Sequence, residues 1–144
     1  MKVAGPSQDG LEFKKNYIKM NPIGSGLYWG KNHTTNEYVD TLSILFNDQG
    51  SDAEWVKEAL LNSTGRGMSG EYTRILVKGD KVILKPTSIL YDEPEEHIIE
   101  MDRNVLLRLT NDWQALVKAK APEIFIYEKD EELFVSDTLP EGME

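Results

Sequence analysis

The chain has 144 residues, of which 40% are hydrophobic and 28% charged, a composition that suits a single soluble globular domain and excludes wholesale disorder. A formal net charge of −9 opposes nonspecific binding to nucleic acid and suits a partner with a basic surface. There is no cysteine, which removes disulfides, thiol nucleophiles, thiolate zinc sites and iron–sulfur clusters together.

The charge is unevenly placed. Residues 1–31 are net basic, residues 91–102 hold six acids and no base, and residues 121–144 hold eight acids against Lys129 alone. The N-terminus MKVAGPSQDGLEF has no apolar h-region, and no apolar run reaches membrane-spanning length, so the expected location is the cytoplasm, with no membrane partner.

In chain order, residues 1–10 read as a loose lead-in and 138–144 as a second flexible end of one domain spanning 1–144. Leu11 to Met20 alternates imperfectly and reads as a strand or a pair of strands. NPIGSGLYWGKNHTTN follows as a Gly- and Asn-rich loop, and Tyr38 to Phe46 (YVDTLSILF) reads as a strand rich in β-branched and aromatic residues. Ser51 and Glu54 form a capping-box pattern at the start of a helix that ends at Asn62–Gly65. GRGMSG is a Gly-rich loop, and Glu71 to Lys85 is a hairpin turning at Gly79–Asp80. Its register sets Val77 opposite Val82 and Ile75 opposite Leu84, and it sets Lys78 against Lys81 and Arg74 against Lys85. Like charges facing each other across a ladder call for an anion nearby, and the acidic segment YDEPEEHIIEMD follows within a few residues. Within that segment, His97 to Met101 reads as a short strand leading to Asp102, the N-cap of a helix (DRNVLLRLTNDWQALVKAKA).

That helix carries an apolar stripe. At ~100° per residue Val105, Leu106, Leu109, Trp113, Leu116 and Val117 fall within an arc of about 120°. After Pro122 come two strands, EIFIYE and ELFVS. Strands arriving in adjacent pairs, without regular alternation with helices, imply an α+β fold. The expectation is an antiparallel sheet of about six or seven strands packed by two helices, the longer one C-terminal.

No catalytic constellation or cofactor site emerges. His33 and His97 have no second histidine at metal-ligating spacing. GSGLYWG lacks the Lys-Ser/Thr of a phosphate loop, and GRGMSG lacks a nucleophile elbow. Tyr28 and Trp29 are either core plugs or an exposed aromatic contact. The carboxylates Asp92, Glu93, Glu95 and Glu96 are the densest cluster, with Asp130, Glu131 and Glu132 in the later loop as its second half. They lack EF-hand spacing, and as an acidic surface they need only exposure and charge to meet a basic partner. The candidate partner-binding residues are therefore these seven acids together with Tyr28 and Trp29.

The final stretch, EMDRNVLLRLTNDWQALVKAKAPEIFIYEKDEELFVSD, has a helix with a central Trp and then a strand beginning Glu-Ile. It is similar to the C-terminal part of several bacterial immunity proteins of contact-dependent growth inhibition systems. The resemblance implies a non-enzymatic inhibitor that binds a cognate toxin, commonly a basic nuclease, in the producing cell and blocks its active site; it carries over no binding residue. A subunit or adaptor of a larger assembly and an enzyme of unrecognised type are the alternatives. An extended apolar patch would mark the first of these, and a deep pocket of titratable groups the second.

Overall fold

The computed structural model describes residues 16–24, 27–30, 34, 36–47, 53–61, 68–69, 72–87 and 94–143. The chain folds as α+β with two antiparallel four-stranded sheets. The first has the order β2-β1-β7-β8, from β1 (Tyr17–Gly24), β2 (Leu27–Gly30), β7 (Ile124–Lys129) and β8 (Glu132–Ser136). The second has the order β3-β4-β5-β6, from β3 (Met68–Ser69), β4 (Thr73–Lys78), β5 (Lys81–Pro86) and β6 (Ile99–Asp102). Among the described residues three helices bridge the sheets: α1 (Glu37–Asn47), α2 (Glu54–Leu61) and α3 (Arg103–Lys118), the last being the longest. α1 packs on β1, β2, β7 and β6, α2 on β4 and α3, and α3 on β8 and β6.

The expected strand over Tyr38–Phe46 is a helix, so the described residues hold three helices where two were expected. The residue types suit a strand, but the buried positions Val39, Leu42, Leu45 and Phe46 recur at intervals of three and four and lie on one helical face. Asn36 starts the helix: its Oδ1 accepts from the Val39 N–H at 3.1 Å, and its own carbonyl accepts from Asp40 N–H at 2.9 Å. The expected loop NPIGSGLYWG is largely a hairpin, with Asn21 opposite Trp29 and Pro22 opposite Tyr28. Gly24 and Gly30 each end a strand, with Gly24 at φ 113.

The second helix opens at Glu54 and not after Ser51. Ala53, at φ 63, turns the chain, and its carbonyl accepts the first helical hydrogen bond from Val56 N–H. Ser51, the loop Asn62–Gly65 and most of GRGMSG lie outside the described residues, as do residues 1–15.

The β4–β5 hairpin has the expected register, from Lys78 opposite Lys81 to Arg74 opposite Lys85. The anion called for beside it is Glu95, whose Oε2 lies 3.9 Å from Lys85 Nζ. Pro94–His97 form a 3-10 turn, so the short strand begins two residues later than expected, at Ile99. Asp102 does cap α3, accepting from Asn104 N–H at 2.9 Å. At the other end Ala121 N–H reaches the Leu116 carbonyl and Lys120 N–H that of Val117, each at 3.0 Å, with Lys120 at φ 58. This is a Schellman stop with lysine where glycine is usual.

One core joins both sheets and all three helices. Trp113, 1% exposed, is at its centre. Its indole stacks on Phe46 with centroids 5.1 Å apart and meets Tyr28 edge-on at 5.5 Å. Helix α1, strand β2 and helix α3 are pinned together at that point.

Candidate functional site

A cleft of about 390 Å³ opens where the ends of the two acidic blocks meet. Its walls are Glu100, Met101 and Asp102 of β6, and Glu128, Glu131, Glu132 and Leu133 of the β7–β8 hairpin; Val105 and Arg108 of α3 and Tyr38 of α1 complete it. Five carboxylates thus ring an apolar floor of Tyr38, Met101, Val105 and Leu133.

The only guanidinium in the cleft does not neutralise them. Arg108 donates through Nη2 to the Leu133 carbonyl at 2.9 Å, and its Cζ lies 5.7 Å from the Phe134 ring centroid. Asp102 is engaged with the helix cap, and Glu128 accepts a 2.5 Å hydrogen bond from Asn36 Nδ2. Both are neutral donors, so negative charge stays in the cleft. Neither the Lys19–Glu123 nor the Lys85–Glu95 ion pair involves any of these five carboxylates. Nor do the acids converge: among the described residues no group of three or more His, Asp or Glu is placed to hold a metal ion. A rim of separated carboxylates over apolar floor is chemically suited to cationic side chains with long aliphatic stems, which lay methylenes on the floor and extend their charge to the rim.

Glu131 stands out within the rim. Asp130 and Glu131 are the central residues of the β7–β8 turn, at φ 53 and φ 65. Such two-residue turns favour Asn-Gly or Asp-Gly, because a side chain in the left-handed region is strained. Here the second place is held by a carboxylate that lines the cleft.

The residues expected to bind a partner divide as follows. Glu131 and Glu132 are in the cleft, while Asp130 is exposed in the same turn and does not line it. Glu95 is exposed and paired with Lys85, Glu96 falls in the same 3-10 turn, and Asp92 and Glu93 lie outside the described residues. Tyr28 is corrected to a core residue: it is 3% exposed, with its hydroxyl donating to the Ala121 carbonyl at 2.6 Å, and it has no surface left for a partner. Burial raises its pKa. Trp29, one residue on and facing the other way, is 54% exposed, but it does not line the cleft, and its strand β2 is the edge of the first sheet opposite β8.

Sequence reasoning missed Tyr38, because the segment was expected to be a strand, and it passed over Glu100 and Arg108. Nothing in local sequence joins Glu100 to Glu132; packing of β6 and β8 around α3 does. No protein-family model, no curated protein and no solved structure matches this chain at a significant level. No helix among the described residues is long and apolar enough to cross a membrane.

Proposed function

We propose that this chain is an immunity-type inhibitor that binds a basic protein toxin through the acidic cleft and blocks the toxin's active site. The observation that carries this reading is the ring of five carboxylates around an apolar floor, none of them in an ion pair among the described residues. A nuclease presents a basic surface to hold phosphate, and an acidic groove competes for that surface by mimicking the charge of the substrate. The net charge of −9 steers the encounter, and the floor supplies the desolvated contact that slows release. The likeness of the C-terminal stretch to immunity proteins points the same way.

The test uses the protein encoded beside this chain in its genome. Co-expression should restore growth of cells making that protein, and calorimetry should show a tight complex. E100K/E131K/E132K should weaken it by at least about tenfold while leaving the fold intact by circular dichroism. Undiminished affinity in that variant would remove the cleft from the interface.

The exposed pair Ile23 (58%) and Trp29 favours a second reading, a subunit of a larger assembly docked on the β1–β2 hairpin. In that case Trp29→Ser would weaken partner binding more than the charge reversal does.

A further inference from the structure

β6 and β8 are each the outermost strand of their sheet. The cleft touches Glu100, Met101 and Asp102 in succession on one side, and Glu131, Glu132 and Leu133 on the other. Successive side chains of a strand point to opposite faces, so a cavity that meets three in a row runs along the strand's edge. Two sheet edges therefore face each other across it.

The two edges differ. On β8 the Leu133 carbonyl, the acceptor that edge offers beside the cleft, is taken by Arg108 at 2.9 Å. On β6 nothing comparable happens. Arg103 N–H donates to the Asp80 carbonyl at 2.9 Å, in line with the register that sets Lys81 opposite Asp102 and Ile83 opposite Glu100. Bonded and non-bonded residues alternate in an antiparallel ladder. Met101 and Ile99 therefore share Arg103's orientation toward β5, and Glu100 turns its N–H and C=O to the open side. Among the described residues no hydrogen bond from beyond the β5–β6 ladder reaches the Glu100 main chain. The edge bears no lysine or proline, the usual guards against strand addition. Its guard is acidic. Two copies of β6 laid edge to edge would oppose carboxylate to carboxylate, whereas a basic strand would meet complementary charge.

We infer that β6 accepts an added strand: an extended segment of the partner in which lysine or arginine alternates with apolar residues. The basic side chains lie on the Glu100 and Asp102 face, and the alternate residues point toward Met101 and Val105. The occupant is fixed by charge complementarity with a cleft that sets five carboxylates against the single guanidinium of Arg108, and its extended form by the open edge. The inference rests on the cleft being the partner site and specifies how the partner enters it, by β-augmentation with charge selecting the strand.

The test is an amide-resolved NMR titration with a short peptide alternating lysine and valine, repeated with the same peptide N-methylated at every second amide in either register. Methylation removes main-chain donors and keeps the charge. The parent peptide should shift the Glu100 and Asp102 amides and slow their exchange, and the methylated form that faces β6 should bind at least about threefold more weakly, as the loss of the hydrogen bond donated to the Glu100 carbonyl predicts. Equal binding of parent and both methylated peptides overturns strand addition while leaving an acidic binding site in place. Failure of the parent peptide to bind, or shifts confined to other strands, also overturns it. The wider reading stands or falls separately, on the toxin complex and its three-site charge reversal.

Discussion

Trp113 shows how one side chain can organise a core without any polar contact of its own. The indole is buried, and its Nε1 finds no hydrogen-bond partner in the structure. What it supplies is area and a stack against Phe46. Trp113→Ala should therefore cost about 3–5 kcal/mol in denaturant unfolding. Trp113→Phe should recover most of that loss, since it keeps a ring on Phe46 and forfeits only an N–H that was never paired. A phenylalanine variant as unstable as the alanine one would show that the indole nitrogen matters after all.

Tyr28 gives a second residue-level prediction, through pH. Burial raises the pKa of Tyr28, and of Tyr127, above the ordinary tyrosine value of 10.0. The folded chain then holds protons that the unfolded chain releases. The stability this represents is fully present below pH 10.0 and is lost as pH rises through the folded-state values. Thermal melting temperature should stay level up to that point and then fall. Tyr28→Phe should flatten the fall, despite its lower starting stability from the lost hydrogen bond to Ala121. An unchanged alkaline slope in that variant would assign the effect elsewhere.

At the scale of elements, how legible a segment was depended on whether its local signals agreed. The β4–β5 hairpin could be read to the residue because alternation, turn glycine and charge placement all pointed one way. Helix α3 was legible for the same reason, with a cap, a stripe and a following proline. Segment 38–46 was misread because its β-branched and aromatic residues favour a strand, while the spacing of Val39, Leu42 and Leu45 and the Asn36 cap favour a helix. Packing on the β1–β2–β7 surface decided for the second. The cleft was legible only as two acidic blocks, since bringing Glu100 to Glu132 needs both sheets in place. The β7–β8 turn bears on this directly, for there two successive non-glycine residues, Asp130 and Glu131, both take the left-handed conformation. Glu131→Gly relieves the left-handed strain and should stabilise the fold by about 0.5–1 kcal/mol, measured by denaturant midpoint. The same change should weaken the basic partner's binding. Stability gained at no loss of affinity would mean the carboxylate at that strained position does nothing in the cleft.

At the scale of the whole molecule, two sheets meet at a groove that carries a disproportionate share of the chain's negative charge, while the exposed Ile23 and Trp29 lie on the β1–β2 hairpin at the other side of the first sheet. An acidic groove acts over a distance that salt sets: the Debye length is about 10 Å at 0.1 M ionic strength and about 3 Å at 1 M. Long-range steering by the groove is therefore screened by salt, whereas the apolar floor and any main-chain pairing at β6 are not. Stopped-flow measurement of the complex should show an association rate that falls steeply, by about tenfold or more between low and high salt, with dissociation changing little. E100K/E131K/E132K should flatten that dependence from the association side. If instead salt acts mainly on dissociation, the carboxylates are desolvated pairs at the centre of the interface and not a steering rim, and single reversals at Glu100 or Glu132 would then have to cost far more than screening can account for.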